Sequence, residues 1–94
     1  MGLRFEWNPR KAARNLAKHG VSFDEASTVF ADTLSLTIPD PDHSEDEERL
    51  VIIGESHRRR LLVVVHVEED ETVRLISARE ADRREREKYE EGTS

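Results

Sequence analysis

No cysteine occurs among the 94 residues. That excludes a disulfide framework, a zinc-thiolate centre and a thiol nucleophile. No apolar run approaches the ~20 residues that a membrane-spanning helix needs. The first residues lack a signal-peptide core, because Arg4, Glu6 and Arg10 interrupt it, and Met1-Gly2 is no myristoylation signal with Glu6 at the sixth position. Internal repeats and long linkers are absent, as are a Walker loop, a dinucleotide fingerprint, a Gly-x-Ser-x-Gly elbow and a zinc motif. The acids and histidine between Asp40 and Glu48 match neither the spacing nor the glycine of an EF-hand loop. The expectation is one soluble, cytoplasmic domain spanning residues 1–94, with no metal, cofactor or membrane partner.

What is present is charge, and its distribution says more than its sum of −6. Residues 1–20 carry five bases and one acid, whereas residues 21–56 carry one base and ten acids. Arg58, Arg59 and Arg60 then form a basic knot, Glu68 to Glu71 an acidic one, and residues 80–94 are mixed. A fold could gather the basic segments on one side, although scattered surface charge is equally compatible with the pattern.

Leu3-Arg4-Phe5-Glu6-Trp7 alternates apolar and charged residues, the period of a half-buried strand. Asn8-Pro9 opens a helix that runs to about His19 and stops at Gly20. Ser22-Phe23-Asp24-Glu25 starts a second helix through a capping box, with Ala26, Val29 and Phe30 as its apolar stripe. Leu34, Leu36 and Ile38 form a strand broken by Pro39-Asp40-Pro41-Asp42. Leu50 to Ile53 is a short strand ended by Gly54. Leu61 to Val67 is apolar on both faces and therefore central. Thr72 to Ala78 makes the last strand, and residues 79–91 a helix anchored only by Ala81 and Tyr89. The order β-α-α-β-β-β-β-α predicts an α+β fold, a mainly antiparallel sheet with helices packed on one face.

On the first helix, Ala12, Leu16 and His19 form an apolar stripe, which should leave His19 half-buried. Lys11, Asn15 and Lys18 form a second row, either an ordinary solvated face or a phosphate-contacting one. His19 is either a capping histidine at the helix C-terminus or a general acid or base. His66 ends an apolar strand face and reads as a packed, hydrogen-bonded residue. Arg79, Arg83 and Arg86 recur at helical spacing as a guanidinium line, beside Asp82, Glu85 and Tyr89. That segment is either a helix laced with Glu–Arg pairs or a phosphate-binding face, in which Glu85 serves as base or clamps an arginine.

Several segments together resemble the BrnT toxin family. They are Phe5-Glu6-Trp7-Asn8, Lys11-Ala12, Asn15, Lys18-His19-Gly20-Val21-Ser22-Phe23, Glu25-Ala26, Val29-Phe30 and Asp32. Further along come Arg49, Ile53-Gly54, the strand from Leu61 to His66, Ile76-Ser77-Ala78-Arg79, Ala81, Glu85-Arg86 and Tyr89. The resemblance implies a RelE-like fold, endoribonuclease activity and growth inhibition. It also implies a BrnA-type antitoxin whose ribbon–helix–helix part binds operator DNA, so that DNA is met only through the antitoxin, in a complex open to oligomer formation. On that basis Lys11, His19, Arg79 and Glu85 are the catalytic candidates, with His19 or Glu85 in proton transfer and Lys11 and Arg79 stabilising a phosphorane. Lys18, Arg60 and Arg86 are the RNA-backbone candidates. The assignment requires these groups to converge on one concavity. The acidic balance leaves room for an alternative, a non-enzymatic regulator or attenuated toxin that acts only within the antitoxin complex; a structural interaction module is a third.

Overall fold

Asn8 and Pro9 start the first helix, α1 (Pro9–His19), as their chemistry dictates: the Asn8 side-chain oxygen accepts the amides of Arg10 at 2.8 Å and Lys11 at 3.3 Å. Gly20 ends it in the left-handed region (φ 70°), donating its amide to the Leu16 carbonyl at 2.8 Å. The computed structural model describes residues 2–41 and 48–92. Around α1 the chain forms β1 (Arg4–Glu6), α2 (Phe23–Ser27), a 3-10 turn (Thr28–Ala31), β2 (Leu36–Pro39), β3 (Leu50–Glu55), β4 (Leu61–Glu69), β5 (Thr72–Glu80) and α3 (Arg83–Gly92).

The strands make one mixed sheet in the order β1-β5-β4-β3-β2. β2, β3, β4 and β5 pair antiparallel in sequence; β1 pairs parallel with β5, and the helical segment after β1 crosses the sheet to β2 at the opposite edge. β4 is the centre, and its alternation explains why. Leu62 and Val64 face one side with Val21, Phe23, Ala26 and Val29 from the helical segment. Leu61, Val63 and Val65 face the other with Val51, Ile53, Ala81 and Tyr89. The expectation of helices on one face is therefore corrected. α1 and α2 cover the first face, and α3 lies over the second, because residues 61 to 65 are apolar on both sides and each side needs a cover.

Three boundaries also move. Gly54 does not end β3 but lies within it, where a Cβ would sit 3.2 Å from Val29 Cβ, the Val29 carbonyl oxygen and Ser35 Cβ. Glycine there lets the 3-10 turn rest directly on the sheet. Leu34 lies in the turn before β2 and is 56% exposed. β5 continues to Glu80, so Arg79 is a strand residue and the anticipated helical line of Arg79, Arg83 and Arg86 does not form.

Candidate functional site

The site is organised by an incomplete strand pairing. β1 covers β5 only from Thr72 to Arg74, which leaves the backbone beyond without a strand neighbour on that side. Asn15 on α1 substitutes for one. Its side-chain nitrogen donates to the Ala78 carbonyl at 2.8 Å and the Val21 carbonyl at 2.9 Å, and its oxygen accepts the Ala78 amide at 3.0 Å. A buried amide that satisfies both polar groups of one strand residue locks the helix to the sheet edge.

This contact corrects the expected inward face of α1. Asn15 is buried and belongs to no phosphate-contacting row, while Leu16 is 51% exposed and His19 is exposed rather than half-buried. The helix is rotated so that residues 12 and 15 point inward, because Asn15 must reach Ala78. Lys11, Arg14, Lys18 and His19 are consequently presented outward. With Asn15, Ile76 and Ser77 they line a shallow concavity of about 250 Å³ that contains no acidic wall residue.

Ile76 and Ser77 owe their position to a bulge. Val65 pairs with Ser77 while His66 pairs with Leu75, so Ile76 is an extra residue on β5. Both residues also line a second concavity of about 420 Å³ on the other face of the sheet. Its floor is apolar, with Val51, Ile53, Val63 and Val65, and its rim carries Arg49, Arg79 and Lys88 together with Asp40 and Glu85. The expected convergence on one concavity is therefore corrected: Lys11, Lys18 and His19 line the first and Arg79 and Glu85 the second, on the other face of the sheet, and the two share only Ile76 and Ser77 as wall residues.

Arg79 is tightly held. Its two terminal nitrogens donate to the two Glu85 oxygens at 2.8 and 2.7 Å. Glu85 completes a capping box as well, accepting the Asp82 amide at 2.8 Å while Asp82 accepts the Glu85 amide at 2.8 Å. Hydrogen bonding to Arg79 holds the Glu85 carboxyl below its ordinary range, against the upward push of burial, and the same pair raises Arg79 further. A carboxylate with these partners is a poor proton acceptor near neutrality. Its chemistry fits orientation of Arg79.

α3 is pinned a second time, at Tyr89, whose hydroxyl donates to Asp32 Oδ2 at 2.7 Å. Asp32 also accepts the Leu34 amide at 2.9 Å and the Glu55 amide at 2.8 Å. Burial raises the Asp32 carboxyl, but the Glu55 amide, the Tyr89 hydroxyl and the Leu34 amide together outweigh it, and the net shift is downward. Burial, reinforced by the Asp32 charge, pushes the Tyr89 hydroxyl up to about 12, so it remains a donor.

Arg60 is engaged elsewhere. Its Nε donates to Glu25 Oε2 at 2.9 Å, one terminal nitrogen meets Glu25 Oε1, and the same nitrogen reaches the Gly20 carbonyl at 3.1 Å. Glu25 is 2% exposed and also accepts the Ser56 hydroxyl at 2.7 Å. The anticipated reach of Glu25 back to Ser22 gives way to this buried pair; Ser22 still caps the Glu25 amide at 3.0 Å. Hydrogen bonding to Arg60 carries the Glu25 carboxyl down to about 2 despite its burial. Arg60 is therefore a structural tie between α2, the end of α1 and the β3–β4 hairpin. Arg86 is exposed on α3 and lines neither of the two concavities. His66 is fully buried, edge-on to Phe30 at 4.8 Å and 2.9 Å from Glu68.

Among the described residues no cluster of three or more His, Asp or Glu side chains is arranged to hold a metal. The acidic stretch from Asp42 to Glu47 lies outside the described residues. No described helix is long and apolar enough to cross a membrane. Sequence reading missed Arg14 and Lys88 as wall residues; Arg14 was findable, three positions from Lys11 on one helix face. It also missed the Asp32–Tyr89 contact, which spans 57 residues and leaves no local signal.

The family model for the ribonuclease toxin BrnT of type II toxin–antitoxin systems matches residues 7–85. No curated protein matches the chain. Among solved structures, the crystal structure of the Brucella abortus ribonuclease toxin BrnT is similar, with a TM-score of 0.62 and 23% identity over 86% of this chain and 99% of that one.

Proposed function

Because the chain belongs to the BrnT ribonuclease-toxin family of type II toxin–antitoxin systems, we propose that it is an endoribonuclease that cleaves RNA without a metal ion, on the surface where the two concavities adjoin. The observation that supports this reading is the wall of Ile76 and Ser77 shared between the concavity lined by Lys11, Lys18 and His19 and the one lined by Arg79, in a chain of net charge −6. A basic surface maintained against the overall charge is the footprint expected of a phosphate-rich ligand.

In the proposed reaction the 2′-oxygen attacks the adjacent phosphorus and the 5′-oxygen leaves. The 2′-hydroxyl proton passes to a base, and the departing oxygen takes a proton from an acid. The products are a 2′,3′-cyclic phosphate and a 5′-hydroxyl. Arg79 and Lys11 stabilise the charge on the phosphorane. His19, exposed on the wall beside Lys18, is the proton-transfer group, since an imidazole can both accept and donate a proton. Glu85 orients Arg79, and Lys18 holds the RNA backbone with Arg14 in the first concavity, as Lys88 does in the second. Arg60 is assigned to structure and Arg86 is left outside the site.

A type II system supplies an antitoxin, and we assign this chain one of the BrnA type, with a ribbon–helix–helix part that reaches operator DNA and assembles the pair into an oligomer. The fold is taken as RelE-like and the compartment as the cytoplasm. The ion pair that occupies Arg79 favours a second reading, a toxin attenuated until Arg79 is released or a regulator active only in the antitoxin complex.

Induction of the chain alone, beside Lys11→Ala and Arg79→Ala forms at equal levels, tests the proposal. Growth arrest relieved by both substitutions, with EDTA-resistant cleavage leaving cyclic-phosphate ends, is the expected result. A folded parent that neither arrests growth nor cuts RNA overturns the enzyme reading in favour of the regulator.

A further inference from the structure

α3 is weakly buried for an element that carries part of the site. None of its residues is buried, and within it only Glu85 and Tyr89 are shielded from solvent. These two are one helical turn apart and share the inner face. The helix is consequently held at two points: at its start by Asp82 and Arg79 through Glu85, and one turn later by Tyr89 on Asp32.

Asp32 is a prepared acceptor. Backbone amides of Leu34 and Glu55 fix its carboxylate from the turn before β2 and from the end of β3, independently of α3. The Tyr89 ring packs beside Val51, Ile53, Leu61 and Val63, and its hydroxyl sets where along that surface the helix rests. Arg79 has little else to define its direction. Among the described residues its guanidinium reaches, beyond Glu85, the Glu80 carbonyl at 3.3 Å, and its side chain is 42% exposed.

We infer that Asp32 and Tyr89 are positioning residues of the proposed ribonuclease site: their hydrogen bond fixes α3, and through Glu85 it aims the Arg79 guanidinium into the concavity at Ile76 and Ser77. This rests on the reading that Arg79 acts on the scissile phosphate. Without the Tyr89 hydroxyl, α3 loses its second anchor, its capping box is left to hold the helix alone, and the Glu85 carboxylate loses its fixed orientation. Lys88, next to Tyr89 in the chain and a wall residue of the concavity that Arg79 lines, moves too. A guanidinium that stabilises only the transition state loses rate rather than affinity when it is misaimed.

The test uses the purified full chain and a mixed-sequence single-stranded RNA oligonucleotide. Tyr89→Phe keeps the ring and removes the hydroxyl. It is expected to lower kcat by about tenfold with KM nearly unchanged, and to add nothing in a Glu85→Gln background, because both act through Arg79. Asp32→Asn should move kcat in the same direction. The side-chain NMR resonance of Arg79, identified by its loss in Arg79→Lys, should be sharp in the parent and broadened in Tyr89→Phe. Parental kcat and an unchanged Arg79 resonance in a folded Tyr89→Phe protein would overturn the inference, as would a loss fully additive with Glu85→Gln. If the parent cleaves no RNA, the ribonuclease reading fails, and the Arg79 resonance still decides whether Tyr89 sets its position.

Discussion

Arg60→Ala should cost this fold far more stability than an average arginine substitution. Glu25 is 2% exposed, and its hydrogen bonds to Arg60, above all, and to Ser56, with the Arg60 and Arg58 charges, bring its carboxyl from an ordinary 4.5 down to about 2 against burial. At ~1.4 kcal/mol for each tenfold change in proton affinity, the charged form is stabilised by roughly 3 kcal/mol. Removing the guanidinium forfeits the larger part of that and leaves a buried carboxylate with the Ser56 hydroxyl and a distant Arg58, 3.7 Å away and 65% exposed, as its partners. Breaking one side of a buried pair costs about 3–5 kcal/mol, a large share of the ~5–15 kcal/mol available to a small domain. Thermal unfolding followed by circular dichroism should show Tm lowered by on the order of 10–20 °C at pH 7. The pH dependence gives the signature. In the parent, the folded-state pKa of Glu25 is depressed, so its contribution is complete above about pH 5 and is lost as pH falls toward 2. In the variant, with the exposed Arg58 as its remaining cation, burial pushes that carboxyl back up, and protonation relieves the cost. The stability gap should therefore narrow between pH 7 and pH 4. A gap below ~1 kcal/mol at pH 7, or one that stays constant across that range, would refute the reasoning.

Asn15→Ala should strand both polar groups of Ala78 and the Val21 carbonyl, costing about 2–3 kcal/mol in urea unfolding; faster hydrogen exchange at the Ala78 amide would place the damage. Gly54→Ala introduces a methyl 3.2 Å from Val29 and Ser35, and a loss of about 1–2 kcal/mol is expected from overpacking. A neutral outcome would mean that the 3-10 turn yields more easily than its contacts suggest. Lys11→Ala and Lys18→Ala should each weaken binding of single-stranded RNA and lower the salt slope of log K by about 0.7, whereas Arg86→Ala should leave the slope unchanged. Equal slopes for all three would remove the α1 row from the RNA contact surface.

The sequence carried the parts of this fold whose signals are local. Asn8-Pro9 and Gly20 bound α1 because capping uses neighbouring backbone groups. The two-faced run Leu61 to Val65 marks a central strand, but nothing local in residues 79–91 shows which of its two faces α3 covers. The candidate site was legible in residue type rather than in geometry. Arg79 was identifiable as a phosphate-binding residue, yet it read as helical, because Arg79, Arg83 and Arg86 keep helical spacing across a strand end and a cap. His19 read as half-buried because Leu16 looked like a core residue. An amide buried to satisfy a strand edge outcompetes a leucine for the inward position, and no spacing rule shows that. Glu25 offered a local partner in Ser22 and a distant one in Arg60, and charge complementarity at depth prevailed over the short reach.

The departures from sheet regularity cluster along one stretch of β5, and that clustering favours a functional rather than a purely structural origin. Between Leu75 and Glu80 the strand loses its β1 neighbour, accepts an asparagine side chain in its place, carries an extra residue at Ile76 and ends in an arginine clamped by the next helix. A fold under selection for stability alone would gain from extending β1 along this edge and removing the bulge. Instead the open edge leaves room for α1 to present Lys11, Lys18 and His19 beside the sheet, and the bulge places Ile76 and Ser77 where both concavities use them. Bulges favour such positions because they re-aim side chains without disturbing the core behind them. Here the core does stay in phase: Leu75 and Ala78 are both buried on the first face, three residues apart, only because Ile76 has been added between them. One inserted residue thus reconciles a continuous core on one face with an arginine aimed from the other.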